Sequence, residues 1–317
     1  MVAEKIAGQT KGLGLAALRL RLFGLSLDEA TFVRRGFRPT VPEKQARLER
    51  VGQTFLTGYL TAIRTNDPAL VEQDLRGIDG EFKGFAYEGA AMGLFLLDTV
   101  APWRKDRWSS FARGAGEPHL YMAHVGAGWV LARLKRSFER STRSMDPLLR
   151  WLTLDGYGFH EAYFKPDQTV AYGKRPNMNG YAPRAFDQGV GRAVWFVSGG
   201  NCQRACDAIE NLETERRADL YAGLGLATTY AGGADEEELG YIADRCGIYL
   251  ADVRQGSAFA AKARQRAGFV PDHTELACQV YAKMSADEAA KATDDALIDL
   301  PTGDYEEWRT RVRKALS

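Results

Sequence analysis

Apolar residues recur along this chain at helical spacing, and glycine interrupts them at a steady interval. Leu48, Val51, Phe55, Tyr59 and Ile63 fall on one stripe, three or four residues apart as a buried helix face requires. Thr40 stands ahead of that stripe as a capping residue, with Pro42 and Glu43 in the first turn. Asn66 or Asp67, followed by Pro68, restarts a helix that stops near Gly77. Further helices are predicted at 85–100, 120–134, 147–164, 186–197, 202–211, 216–230 and 305–316. Residues 172–183 read as an exposed loop. The start is less regular, with a helix at 13–23 and a short extended piece at 30–37. Asp235 to Glu238 place acids at a helix start, where the macrodipole favours them. Asp272 with Glu275 and Ser285 with Glu288 have the spacing of capping boxes.

The glycines form a repeat. They read Gly89 with Gly93, Gly126-Ala-Gly128, Gly156-Tyr-Gly158, Gly189-Val-Gly191 and Gly223-Leu-Gly225, and the first of each set is 37, 30, 33 and 34 residues from the last. Steps of that size are the length of one helical hairpin in an α-solenoid. The chain is therefore expected to be all-α, an irregular helical-hairpin repeat with a glycine-rich, aromatic interior. An N-terminal segment at 1–40 precedes one helical domain at 41–317, with repeats over about 82–233 and C-terminal helices over 234–317. A glycine inside a helix costs about 0.5–1 kcal/mol relative to alanine, so something offsets the loss. Close approach of a neighbouring helix is one gain, and access of a ligand to the backbone is the other. A rival parse makes 119–125 a strand, with Gly126-Ala-Gly128 imitating a dinucleotide fingerprint. Leu131 replaces its third glycine and no strand–helix alternation surrounds it. Gly12-Leu-Gly14 shares that weakness.

Composition removes some classes. Among 317 residues 45% are apolar and 26% charged, with a net charge of +1, so no bulk attraction for nucleic acid arises. The N-terminal third is locally basic at Arg19, Arg21, Arg34, Arg35 and Arg38. That is either a solvated face or a docking patch for an acidic partner such as a carrier protein or an anionic membrane. No apolar run approaches the roughly 20 residues of a membrane span, and the first residues do not read as a secretion signal. Cys202, Cys206, Cys246 and Cys278 lack paired C-x-x-C spacing and read as reduced core thiols of a cytoplasmic protein.

Polar residues cluster around the glycines. Glu88, His124, Asp155 and Asp187 stand just before glycine pairs, His160 and Glu161 follow Gly158, and Arg192 follows Gly191. Equivalent positions in stacked repeats line one surface, so these seven residues form the candidate catalytic set. Carboxylates beside histidines suit acid–base work. The alternative role for each is that of a hydrogen-bonded tie between helices. Phe164 stands where the zincin pattern that starts at His160-Glu161 needs a second histidine. His124, His160 and a carboxylate remain a conceivable metal set, but no metal and no cofactor is expected. Neither a serine elbow nor a cysteine nucleophile motif is present. Tyr87, Trp129, Tyr157, Tyr163 and Trp195 are aromatics beside the glycines, which suit either a core or the walls around a long, flat, apolar ligand.

Longer segments carry a resemblance. Gly84-Phe-Ala-Tyr-Glu-Gly-Ala-Ala-Met92, Tyr121-Met-Ala-His-Val-Gly-Ala-Gly-Trp129, Asp155-Gly-Tyr-Gly-Phe-His-Glu-Ala-Tyr-Phe164, Phe186-Asp-Gln-Gly-Val-Gly-Arg192 and Ala258-Phe-Ala-Ala-Lys-Ala-Arg-Gln-Arg266 resemble a bacterial domain-of-unknown-function family encoded beside enediyne polyketide synthases in actinobacteria. Arg21-Leu-Phe-Gly24 and Arg34-Arg-Gly-Phe37 fit it too, and the likeness runs from about Leu20 to about Asp294. The resemblance implies a place in enediyne biosynthesis and brings no assigned catalytic residues. It leads to two expectations. One is a protein that holds a linear conjugated polyene or polyyne during core maturation and guides proton movement, desaturation or cyclisation. The other is a non-catalytic helical scaffold that docks the polyketide synthase and its maturation partners.

Overall fold

The computed structural model describes residues 14–101, 103 and 106–317. Among them no strand occurs and helices dominate, as the periodicity predicts. Eight helices form a row: α1 (Pro42–Thr65), α2 (Gly80–Val100), α3 (Leu120–Leu134), α4 (Leu152–Phe164), α5 (Ala182–Val197), α6 (Thr214–Ala231), α7 (Leu250–Arg266) and α8 (Ala286–Asp295), each packed on the next. Shorter helices, among them Pro68–Leu75, Cys202–Glu210, Glu236–Arg245 and Asp272–Ala282, connect them on the outside. The row extends beyond the glycine-marked stretch at both ends and curls. Arg47 Nε donates to the Ala231 carbonyl at 2.6 Å, and Arg264 Nη1 to the Glu81 carbonyl at 2.7 Å, so α1 and α2 meet the ends of α6 and α7. The last helix, α9 (Tyr305–Ala315), crosses the interior edge. Its fully buried Arg309 reaches Gln255 Oε1 at 2.7 Å and Asp219 Oδ1 at 2.5 Å.

The glycines explain how the row holds together. A Cβ on Gly126 would overlap the Glu88 carbonyl of the preceding helix, and one on Gly128 the Thr153 carbonyl of the following helix. The same holds for Gly156 against Val125 and Gly158 against Phe186, for Gly189 against Asp155 and Gly191 against Leu220, and for Gly223 against Gln188 and Gly225 against Val253. Residues two apart on a helix of 3.6 residues per turn lie about 200° apart. A G-x-G pair therefore places one bare backbone on each flank, one for each neighbour. Close packing is what offsets the helix penalty of these glycines, and ligand access plays no part at them.

Local signals are mostly realised. Asp67 caps Pro68–Leu75 by accepting from the Ala69 and Leu70 amides. Asp235 with Glu238 and Ser285 with Glu288 form reciprocal capping boxes. Three expectations change. Residues 30–37 are not extended: Ser26 and Thr31 cap a 3₁₀ turn (Leu27–Ala30) and a short helix (Phe32–Arg35), which Gly36 ends at φ 68°. Val41, not Thr40, precedes Pro42 as the cap residue, and no side chain bonds there. Pro271 precedes the helix of Asp272, so Glu275 instead accepts from the Ala286 amide at 2.8 Å. Residues 119–125 are helical or 3₁₀, not a strand. The helix expected from residue 13 is present over 14–23, and Leu13 and Gly12 lie outside the described residues. Arg19 of that helix is consumed internally, donating to the Ile63 carbonyl at 2.8 Å. No helix among the described residues is long and apolar enough to cross a membrane.

Candidate functional site

The curled row encloses a cavity of about 320 Å³. Its lining follows from helical register. Counting from the first glycine of each set, the third residue faces inward: Met92, Trp129, Phe159, Arg192 and Leu226. The seventh also faces inward: Arg133, Tyr163, Phe196 and Tyr230. Both positions lie on the same side of the first glycine, at about −60° and −20° around the helix. The wall is mostly apolar and includes eight aromatic rings. Phe55 lies 4.4 Å from Trp129 between ring centroids, Trp129 lies 5.3 Å from Phe159, and Phe159 stacks on Tyr163 at 5.7 Å. Leu25, Glu29 and Ala30 of the N-terminal segment close one side.

Three of the expected polar residues reach this cavity: Glu88, His160 and Arg192. Glu88 is buried, 3% exposed, and its Oε1 accepts from Trp129 Nε1 at 3.1 Å. Burial among rings pushes its carboxyl up to about 7, against the pull of the nearby Arg192 charge. Arg192 is held by Asp155, which also accepts from Gln188 Nε2 at 2.8 Å. Its guanidinium stands 5.2 Å over the Phe159 ring. Asp155 and Glu88 keep it charged in spite of burial. Asp155 therefore sits behind Arg192 as its anchor and faces a smaller void of about 40 Å³ on the other side. His160 is only partly buried, its Nδ1 3.2 Å from Glu161 Oε1. Burial lowers the imidazole, and the Glu161 hydrogen bond only partly opposes this. The ring is neutral at neutral pH. Burial tends to raise Glu161, but His160 and Lys165 Nζ, at 2.7 Å, hold it low.

The remaining expected residues stand elsewhere. His124 bonds the Leu120 carbonyl at 2.9 Å and meets the edge of Trp108 at 5.1 Å. Asp187 is clasped by Arg216 at 2.7 and 3.0 Å and by Arg175 at 2.9 Å. Both lie two residues before the first glycine of their helix. A one-residue slip turns a side chain by about 100°, and the true equivalents of Glu88 and Asp155 are Val125 and Gln188. Of the expected binding aromatics, Trp129 and Tyr163 line the cavity. Tyr87 packs outward on His119 at 4.4 Å, Tyr157 meets Phe186 at 5.8 Å, and Trp195 donates to the Gly232 carbonyl at 3.0 Å. Sequence reasoning missed Arg133, Phe55 and Tyr230 as lining residues. Registration on the first glycine would have found all but Phe55, which belongs to a helix outside the glycine series. Among the described residues no group of three His, Cys, Asp or Glu is placed to hold a metal, and His124 and His160 do not meet.

One family model, described as a protein of unknown function (DUF1702), matches residues 14–316. No curated protein and no solved structure matches the chain.

Proposed function

We propose that this chain, which belongs to the DUF1702 family, binds a linear conjugated polyene or polyyne in its aromatic cavity and moves protons on it during maturation of an enediyne core. The observation that carries the reading is an aromatic wall that ends on a proton-holding carboxyl, Glu88, beside a cation fixed in place by Asp155. Flat rings match the faces of a rod-like π-system, and the volume lies at the small end of ligand-binding clefts. A carboxyl that titrates near neutrality both gives and takes a proton at working pH. Glu88 would remove a proton from one chain carbon and return it to another, while Arg192 stabilises the charge that develops between. That step rearranges double bonds and consumes no other reagent. The enediyne assignment itself rests on the sequence resemblance.

The test uses a conjugated tetraene fatty acid as a fluorescent probe. Trp129 is the one tryptophan among the lining residues, so binding is expected to quench its emission. Trp129→Phe should remove most of that quenching, and Ala227→Phe, which fills the cavity, should abolish binding. Equal binding by Ala227→Phe would overturn the site. In a producing strain, Glu88→Gln is expected to stop product formation with the protein still folded. If production persists with the cavity filled, the scaffold reading replaces the enzymatic one.

A further inference from the structure

A second concavity shares no lining residue with the aromatic cavity. It is formed by the end of α2, the helix Arg107–Arg113 and the turns that follow α3, and its volume is about 800 Å³. Arg113, Lys135, Arg136 and Arg140 line it. All four are exposed, and among the described residues none makes an ion pair. The carboxylate in the lining, Asp98, is already spent: it pairs with Arg107 at 3.0 Å and accepts from the Trp108 amide at 2.9 Å. Nearby Glu139 is bound to Arg150 at 2.5 Å. The groove thus presents four uncompensated cations over a floor that includes Trp108 and Met145.

Helix ends explain only part of this. Lys135 caps α3 in the left-handed conformation, and cations at a helix C-terminus are favoured by its dipole. That accounts for Lys135 and Arg136. Arg113 comes from a different helix and Arg140 from a separate turn, yet both line the same groove. Ser137 and Ser141 add hydroxyl donors. Like charges gathered without counter-charges raise the local potential and draw in anions.

We infer that this groove binds a phosphorylated ligand carrying two or more negative charges. One carboxylate would leave most of the cations unmatched, whereas a diphosphate or a phosphodiester array offers several oxygens to a guanidinium fork. The volume leaves room for a larger molecule that carries the anion. Two sources share this chemistry: a soluble phosphorylated metabolite, or the headgroups of an anionic lipid surface. This inference is independent of what the aromatic cavity holds.

The experiment measures binding of inorganic pyrophosphate to the whole chain by titration calorimetry at low salt, with the double charge reversal Arg136→Glu and Arg140→Glu as the comparison. Both positions are exposed, and circular dichroism checks the fold. Pyrophosphate is expected to bind, to weaken as ionic strength rises, and to bind about tenfold or more weakly to the variant, a change of ~1.4 kcal/mol. In a second arm the protein is sedimented with phosphatidylglycerol vesicles and with phosphatidylcholine vesicles. Sedimentation with the anionic vesicles alone, competed by pyrophosphate, assigns the phosphate to a lipid headgroup. Pyrophosphate binding without sedimentation assigns it to a soluble ligand. No pyrophosphate binding and no sedimentation up to about 10 mM pyrophosphate, a concentration at which even a weak ~4 kcal/mol contact would register, overturns the inference. So does binding that the charge-reversed variant retains.

Discussion

Replacing Glu88 by glutamine tests the central electrostatic claim without disturbing shape. Glutamine is isosteric and its Oε1 still accepts from Trp129 Nε1. The carboxyl is held near 7 in the folded chain against an ordinary 4.5. Below about pH 4.5 both folded and unfolded carboxyls carry a proton and the group contributes no difference. Between 4.5 and 7 the unfolded chain releases its proton and the folded chain keeps it, so stability falls as pH rises. Above 7 both ionise and the penalty levels off. That rise corresponds to a full penalty on the order of 3 kcal/mol, of which less than half is in force at pH 5.5. The remaining ~2 kcal/mol develops between pH 5.5 and pH 8.5. Urea unfolding of the parent and of Glu88→Gln at those two pH values separates this group from every other titration, because all others are common to both. The variant is expected to gain about 2 kcal/mol on the parent across that interval. Stability curves that stay parallel within ~0.5 kcal/mol, about the precision at which such ΔΔG values add, would refute the claim that Glu88 is desolvated and protonated in the cavity.

Other consequences follow from the same geometry. Asp155→Asn leaves the Arg192 guanidinium buried without its anchor, and should cost about 3–5 kcal/mol in urea unfolding near pH 6. The loss should shrink toward pH 8.5, as Glu88 ionises and takes over as counter-ion; a loss independent of pH would show that the two carboxyls do not share Arg192. Gly128→Ala forces a Cβ onto the Thr153 carbonyl and should destabilise by about 1–3 kcal/mol or more. Gly240→Ala, on an outer helix with nothing within 4 Å, should instead stabilise by ~0.5–1 kcal/mol. Thermal melts of the two variants decide, and melts that shift in the same direction would refute the packing role assigned to the G-x-G pairs.

The legibility of the site differs from residue to residue. Glu88, Trp129, His160 and Arg192 were readable because each lies close to a glycine that had already marked its helix. His124 and Asp187 were misplaced because polar character, not register, drew them into the set. Counting from the first glycine of each pair separates Gln188 from Asp187 and Val125 from His124, and a separation of one residue turns a side chain by about 100° around the helix. The basic cluster near the N-terminus also reads differently once folded, since Arg19 binds a backbone carbonyl and Arg34 and Arg35 both turn to Glu29.

The sequence by itself determined what acts over a turn or two of chain. Helical periodicity, the Asp67, Asp235 and Ser285 caps, and glycines too costly to keep without close neighbours all act locally, and they produce the all-α class and the positions of most helices. Only the tertiary structure decided that the row curls until Arg47 and Arg264 bridge its two ends, because that closure joins residues about 180 positions apart. Enclosure is what desolvates Glu88 and lifts its carboxyl toward neutrality. A carboxylate in an open row would stay hydrated and acidic, so the property on which the proposed chemistry depends exists only after the chain has closed around it.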